Sequence, residues 1–198
     1  VNKMRFQQTV FYVLLVLMSF CSVAENQRVW MDPSADSRDI YFALFGELNY
    51  KTRSIKVMMG GGQNGTNKVQ SAGDRHTVIL PVEFTFDSRK VTTESEQFLE
   101  QLANAVQEKR KKLLRAGSKE RVILSIDSHT DAVGPDEYNR ILSEIRAETV
   151  RDVLVNLGIE SSEVEVQGYG EERLLVASRS NSRNRRVEVS ARVVAAGE

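Results

Sequence analysis

A single cysteine stands in the 198 residues, at position 21, so no disulfide can form within the chain. Only two histidines occur, His76 and His129, which is meagre material for a catalytic zinc that usually takes three protein ligands. Neither sign of charge is in excess: Lys+Arg and Asp+Glu both number 27, so no overall field draws the chain to nucleic acid. Nor is there a long apolar run. The stretch 10–20 (VFYVLLVLMSF) is only about half as long as the roughly 20 residues that a membrane span needs. What remains is an ordinary globular composition, 41% hydrophobic and 27% charged, enough for one domain with an extension or two small ones.

The segment 1–24 reads as an address. Lys3 and Arg5 precede the apolar run, and Ser22-Val23-Ala24 offers the small residues that a signal peptidase reads. Cleavage after Ala24 would remove Cys21 and, with Lys3 and Arg5 gone, leave a slight excess of negative charge. The rivals are an uncleaved anchor and lipidation at Cys21, where Phe20 is bulkier than a lipidation site wants.

Residues 25–75 are expected to be a small β-rich region. RVWMD, IYFALFGELNY and SIKVMM carry aromatic and β-branched residues in short runs, and GGGQNG (60–65) reads as a hairpin tip. No chemistry is assigned there. From residue 77 the pattern is clearer. TVILPVEFTF (77–86) predicts a strand with Pro81 at an edge or bulge. Thr93 to Glu96 predicts a capping box opening a helix that buries Phe98, Leu102, Ala105, Val106 and Leu113 and stops near Gly117. RVILSID (121–127) predicts a strand covered on both faces. Asp136 is expected to cap a second helix, with Tyr138, Ile141, Leu142, Ile145, Thr149, Val153 and Leu157 at helical spacing and Gly158 closing it. EVEVQG (163–168) and RVEVSARV (186–193) complete the set as strands, separated by a polar loop. The fold class is α/β, more narrowly α+β: a two-layer sandwich of order βαβαββ over residues 77–195, preceded by the β-rich region.

SIDSHTDAVGPDEYNRILSEIRAETVRDVL, followed by VEVQGYGEE and SRNRRVEV, resembles the OmpA C-terminal-like family of peptidoglycan-binding domains, of the kind found in OmpA, MotB and Pal proteins. FTFDSRKV (84–91) resembles that family's opening strand and turn, and the resemblance runs over residues 77–195. One position departs: the family usually has glycine where Ser128 precedes His129-Thr130-Asp131. The resemblance implies non-covalent binding of the peptidoglycan stem peptide through the side-chain end of meso-diaminopimelate. It assigns that recognition to Asp131 and Arg146, whose spacing matches the family pattern, with Asn139 and Arg186 lining the pocket.

The residue chemistry is consistent with that ligand. Diaminopimelate carries an ammonium and a carboxylate on one carbon, so its binder needs an anion beside a cation. Asp131 supplies an acceptor, and the Arg146 guanidinium offers a planar fork that lysine cannot reproduce. Asn139 has the alternative of hydrogen-bonding the turn. Alternation at the strand start sends Arg185 and Arg186 to opposite faces. His129 has too few partners for catalysis or a metal and is expected to be a structural residue hydrogen-bonded in its loop. The expected protein is not an enzyme, needs no cofactor and contacts no nucleic acid. It would be exported to the periplasm of a Gram-negative cell and associated with the cell wall or outer membrane. The alternative is a scaffold subunit of an envelope or flagellar motor complex, in which residues 25–75 bind a protein partner and the wall-binding domain is its anchor.

Overall fold

The computed structural model describes residues 28–46, 55–58 (backbone only), 77–84 and 90–195. The expected export signal, the GGGQNG tip and residues 85–89 of the FTFDSRKV strand and turn lie outside these residues. The strands are β1 (Arg28–Met31), β2 (Ile55–Met58), β3 (Thr77–Leu80), β4 (Arg121–His129), β5 (Val164–Gly168) and β6 (Arg186–Val194). The helices are α1 (Ser37–Phe45), α2 (Thr93–Arg115) and α3 (Asp136–Asn156). These strands form one sheet of order β2-β1-β3-β6-β4-β5. From β3 onward the order is βαβαββ, and β1 continues the sheet by pairing parallel to β3 through Val29↔Val78 and Trp30↔Ile79.

The core lies between the helices and one sheet face. Leu99, Leu102 and Val106 of α2 share a cluster with Val122, Leu124 and Ile126 of β4, and with Ile40 and Leu44 of α1. Residues on both sides of position 77 therefore desolvate one another in a single core.

Four local expectations are corrected. IYFALF is helical: Asp36 accepts from the backbone N–H of Arg38 and Asp39, and Gly46 closes the helix at φ 71°. Those caps, with burial of Ile40, Tyr41, Ala43 and Leu44, outweigh the strand preference of the aromatic residues. The strand 77–86 stops at Leu80, because β3 is interior and Pro81 cannot donate to a ladder. The N-cap of α2 is Thr92, just before the expected Thr93; its hydroxyl accepts from Ser95 N, while Ser95 Oγ accepts from Glu83 N at 2.8 Å. Pro135, not Asp136, stands at the N-cap of α3.

The buried face of α3 also differs from the bulky stripe the spacing suggests. Asn139, Ser143, Ala147, Val150 and Leu154 are buried, while Tyr138 is 53% and Ile141 45% exposed. The reason is how closely the helix approaches β5. A Cβ on Gly168 would sit 2.4 Å from Glu144 N, so only glycine fits there, and small residues on the facing turn complete the contact. Ser143 Oγ uses that proximity to accept from Gly170 N at 2.8 Å.

Candidate functional site

At the C-terminal ends of β3 and β4, where β6 begins, the chain leaves a pocket of about 500 Å³, within the rough 300–1,000 Å³ range of small-molecule sites. Phe84 and Trp30 supply apolar walls, Ser128 lies on the lining, and Arg146, Arg183, Arg185 and Arg186 bring positive charge.

The chain that carries Asp131 leaves β4 under tight control. Thr130 N donates to Gly170 O and Ala132 N to Arg179 O, both at 2.8 Å. Gly134 then takes φ 100°, a left-handed conformation that favours glycine, and Pro135 leads into α3. Asn139, which is buried, donates to Val133 O at 3.3 Å and to Glu171 Oε2 at 2.8 Å. It ties the turn to the β5–β6 loop and is not among the residues that line the pocket.

Asp131 accepts from Arg185 Nη1 at 2.6 Å, so it joins the pocket through that arginine. Arg146 enters from α3 with its guanidinium 4.9 Å from the centre of the Phe84 ring, a cation–π distance. Its buried Nε has no hydrogen-bond partner. Burial lowers the Arg146 pKa, opposed by Tyr138 and Asp131 and reinforced by Arg185. Arg146 and Asp131 thus feel each other's field. The guanidinium stays charged, as arginine does in proteins.

Arg186 lines the same pocket but is already committed. Its Nε donates to Glu188 Oε1 at 2.6 Å, Nη1 to Asn184 O at 3.2 Å and Nη2 to Arg173 O at 3.1 Å. Arg28 from β1 also reaches Glu188, at 3.1 Å. Burial pushes the Glu188 carboxyl up, but Arg186, by charge and hydrogen bond, together with Arg28 outweighs it and holds it below its ordinary value. Of the two neighbouring arginines, Arg185 meets Asp131 and Arg186 is buried against Glu188.

His129 belongs to this buried network rather than to a loop. It ends β4, is 2% exposed, and stacks on Tyr169 with ring centres 5.3 Å apart. Its Nε2 lies 3.9 Å from Glu188 Oε1, and neither ring nitrogen has a hydrogen-bond partner, which corrects the expected hydrogen-bonded role. Burial, with Arg186 adding to it, pushes the imidazole down to about 3, so it is neutral near pH 7. Among the described residues no group of three His, Cys, Asp or Glu side chains is placed to hold a metal.

Two contributors escaped the sequence reading. Asn184 is fully buried and organises the β5–β6 loop: its Oδ1 accepts from Leu175 N and Val176 N, and its Nδ2 donates to Val176 O and Ser178 O. The only signal was an amide just before a strand, inside a polar loop. Trp30 comes from β1, with Arg183 5.3 Å from its ring, and nothing in RVWMD announced that strand's neighbours.

Against known proteins, the model of the OmpA family matches residues 83–188, more than half of the chain. Outer membrane porin F of Pseudomonas aeruginosa is 38% identical over 115 residues, 56% of this chain and 30% of that protein. The peptidoglycan-associated lipoprotein of the same organism is 41% identical over 76 residues, 37% of this chain and 44% of that protein. The chain thus spans less than half the length of either relative. The periplasmic domain of Helicobacter pylori MotB superposes with TM-score 0.50 at 20% identity, covering 64% of this chain and 88% of that one, a likeness of fold. Among the described residues no helix is long and apolar enough to cross a membrane. With the family's model matched over more than half of the chain, from residue 83 to residue 188, the chain belongs to the OmpA family.

Proposed function

We propose that this chain binds peptidoglycan without covalent chemistry and anchors to the cell wall by holding the side-chain end of meso-diaminopimelate. The observation that carries the reading is the partly buried Arg146 guanidinium, its Nε lacking a partner, in a pocket whose lining includes Arg185, the hydrogen-bond partner of Asp131. The ligand's carboxylate meets Arg146 and its ammonium shares Asp131 with Arg185. An amino acid bearing both charges on one carbon satisfies both groups. Kinship with a relative named a peptidoglycan-associated lipoprotein supports this substrate class. Asn139 and Arg186 act behind this pair, one holding the turn and the other the start of β6.

The proposed setting is the periplasm of a Gram-negative cell, close to the wall or outer membrane, with no enzymatic step. The reading of residues 25–75 as a separate docking unit for a protein partner has less support. Of their described part, β1 and α1 pack into the common core, β2 pairs with β1, and Trp30 lines the pocket. The test is a sacculus pull-down competed with free meso-diaminopimelate. Wild-type protein should sediment and be released by the competitor; Asp131→Ala retained at wild-type levels would overturn the assignment.

A further inference from the structure

We infer that Ser128 sets ligand specificity: its hydroxyl and the Nε–H of Arg146 together donate to the carboxylate of the bound amino acid. This rests on the function proposed above and deepens it. Ser128 pairs with Gly168 of β5 and Val187 of β6, which fixes its side chain on the same face as theirs. The adjacent residues Asp127 and His129 alternate to the opposite face, with Glu188 and Arg186 as their partners in β6. Ser128 is fully buried, lies on the pocket lining with Arg146, and its Oγ has no hydrogen-bond partner.

The lining thus carries two orphaned donors, on Ser128 and Arg146, besides the His129 ring, which alternates to the opposite face of the sheet from Ser128. The Arg146 Nε can only donate, and the hydroxyl can donate alongside it. Buried polar groups are almost always paired, so two unpaired donors at one site ask for an acceptor from outside. A carboxylate has two oxygens and several lone pairs, and it accepts from a guanidinium and a hydroxyl at once. The arrangement also divides the ligand. Its carboxylate lies inward at Ser128 and Arg146, and its ammonium lies outward at Asp131. Glycine, the residue the resembled family usually has here, offers no such donor. Ser128 is thus an added discriminator between diaminopimelate and lysine, whose side chain ends in an ammonium without the carboxylate.

The experiment is calorimetric titration of the full chain with the Nα-acetyl α-amides of meso-diaminopimelate and of lysine, which leave only the side-chain end charged, for wild type, Ser128→Ala and Ser128→Gly. Each variant should bind diaminopimelate roughly tenfold more weakly, as expected for losing one hydrogen bond to a charged group. Lysine affinity should be unchanged, so the preference between the two ligands narrows by the same factor. The melting temperature of Ser128→Ala should be no lower than that of wild type, because the hydroxyl it removes is unpaired. Wild-type affinity for diaminopimelate in Ser128→Ala, or an equal loss for both ligands, would overturn the inference while leaving the function intact. A wild-type protein blind to diaminopimelate would instead break the function on which it rests.

Discussion

Arg146 and Arg186 border the same pocket, yet one is spoken for and the other is not. Arg186 is buried, with every side-chain nitrogen donating to Glu188 or to backbone carbonyls. Arg146 lies against an aromatic ring with its Nε unpaired, and it meets Asp131 only through the field. The difference comes from position. Arg186 is on a strand, where Glu188 at the next position but one shares its face. Arg146 is on a helix and enters the pocket where no acceptor among the described residues reaches its Nε. Identical chemistry thus serves the scaffold in one place and is left available in the other.

Removing the acceptor of the satisfied arginine should have the largest effect. Glu188→Ala strands a buried guanidinium and should cost about 3–5 kcal/mol in urea unfolding, far more than any change at Arg146. The same network should give way to acid. The folded-state pKa of His129 is depressed from 6.5 to about 3, so its contribution is complete above 6.5 and drains away as pH falls toward 3. The loss is on the order of a few kcal/mol, and His129→Phe should flatten the pH dependence of stability in that window. The smallest effect belongs to the half-exposed Arg185–Asp131 pair. Arg185→Ala should change stability by no more than about 1 kcal/mol. It should also weaken sacculus binding only severalfold, because Asp131 remains to meet the ammonium.

The fold of residues 77–195 is largely legible in the sequence, whereas the contrast between the two arginines is not. The βαβαββ order was carried by caps, periodicity and the closing glycines, all of them local signals. Asp131 and Arg146 were named from their residue types and spacing within a resembled motif, and the fold brings them within each other's field. What stayed hidden depends on distant partners. Arg185 and Arg186 could not be sorted without knowing that Asp131 and Glu188 lie opposite them. The burial of Asn139 and Ser143 in place of Tyr138 and Ile141 follows from the approach of α3 to Gly168, a contact with a strand further along the chain. The helix Ser37–Phe45 is masked in the sequence by aromatic residues that favour a strand, although Asp36 and Gly46 cap it.

The central claim is that Arg146 is held ready for a ligand carboxylate rather than for the fold. The most direct measurement is binding of meso-diaminopimelate to Arg146→Lys, set beside its unfolding free energy. Lysine keeps the charge and loses the fork, so affinity should fall about 100-fold for two lost charge-assisted hydrogen bonds, with stability within about 1 kcal/mol of wild type. Wild-type affinity in Arg146→Lys, or a loss of stability comparable to that of Glu188→Ala, would contradict the account.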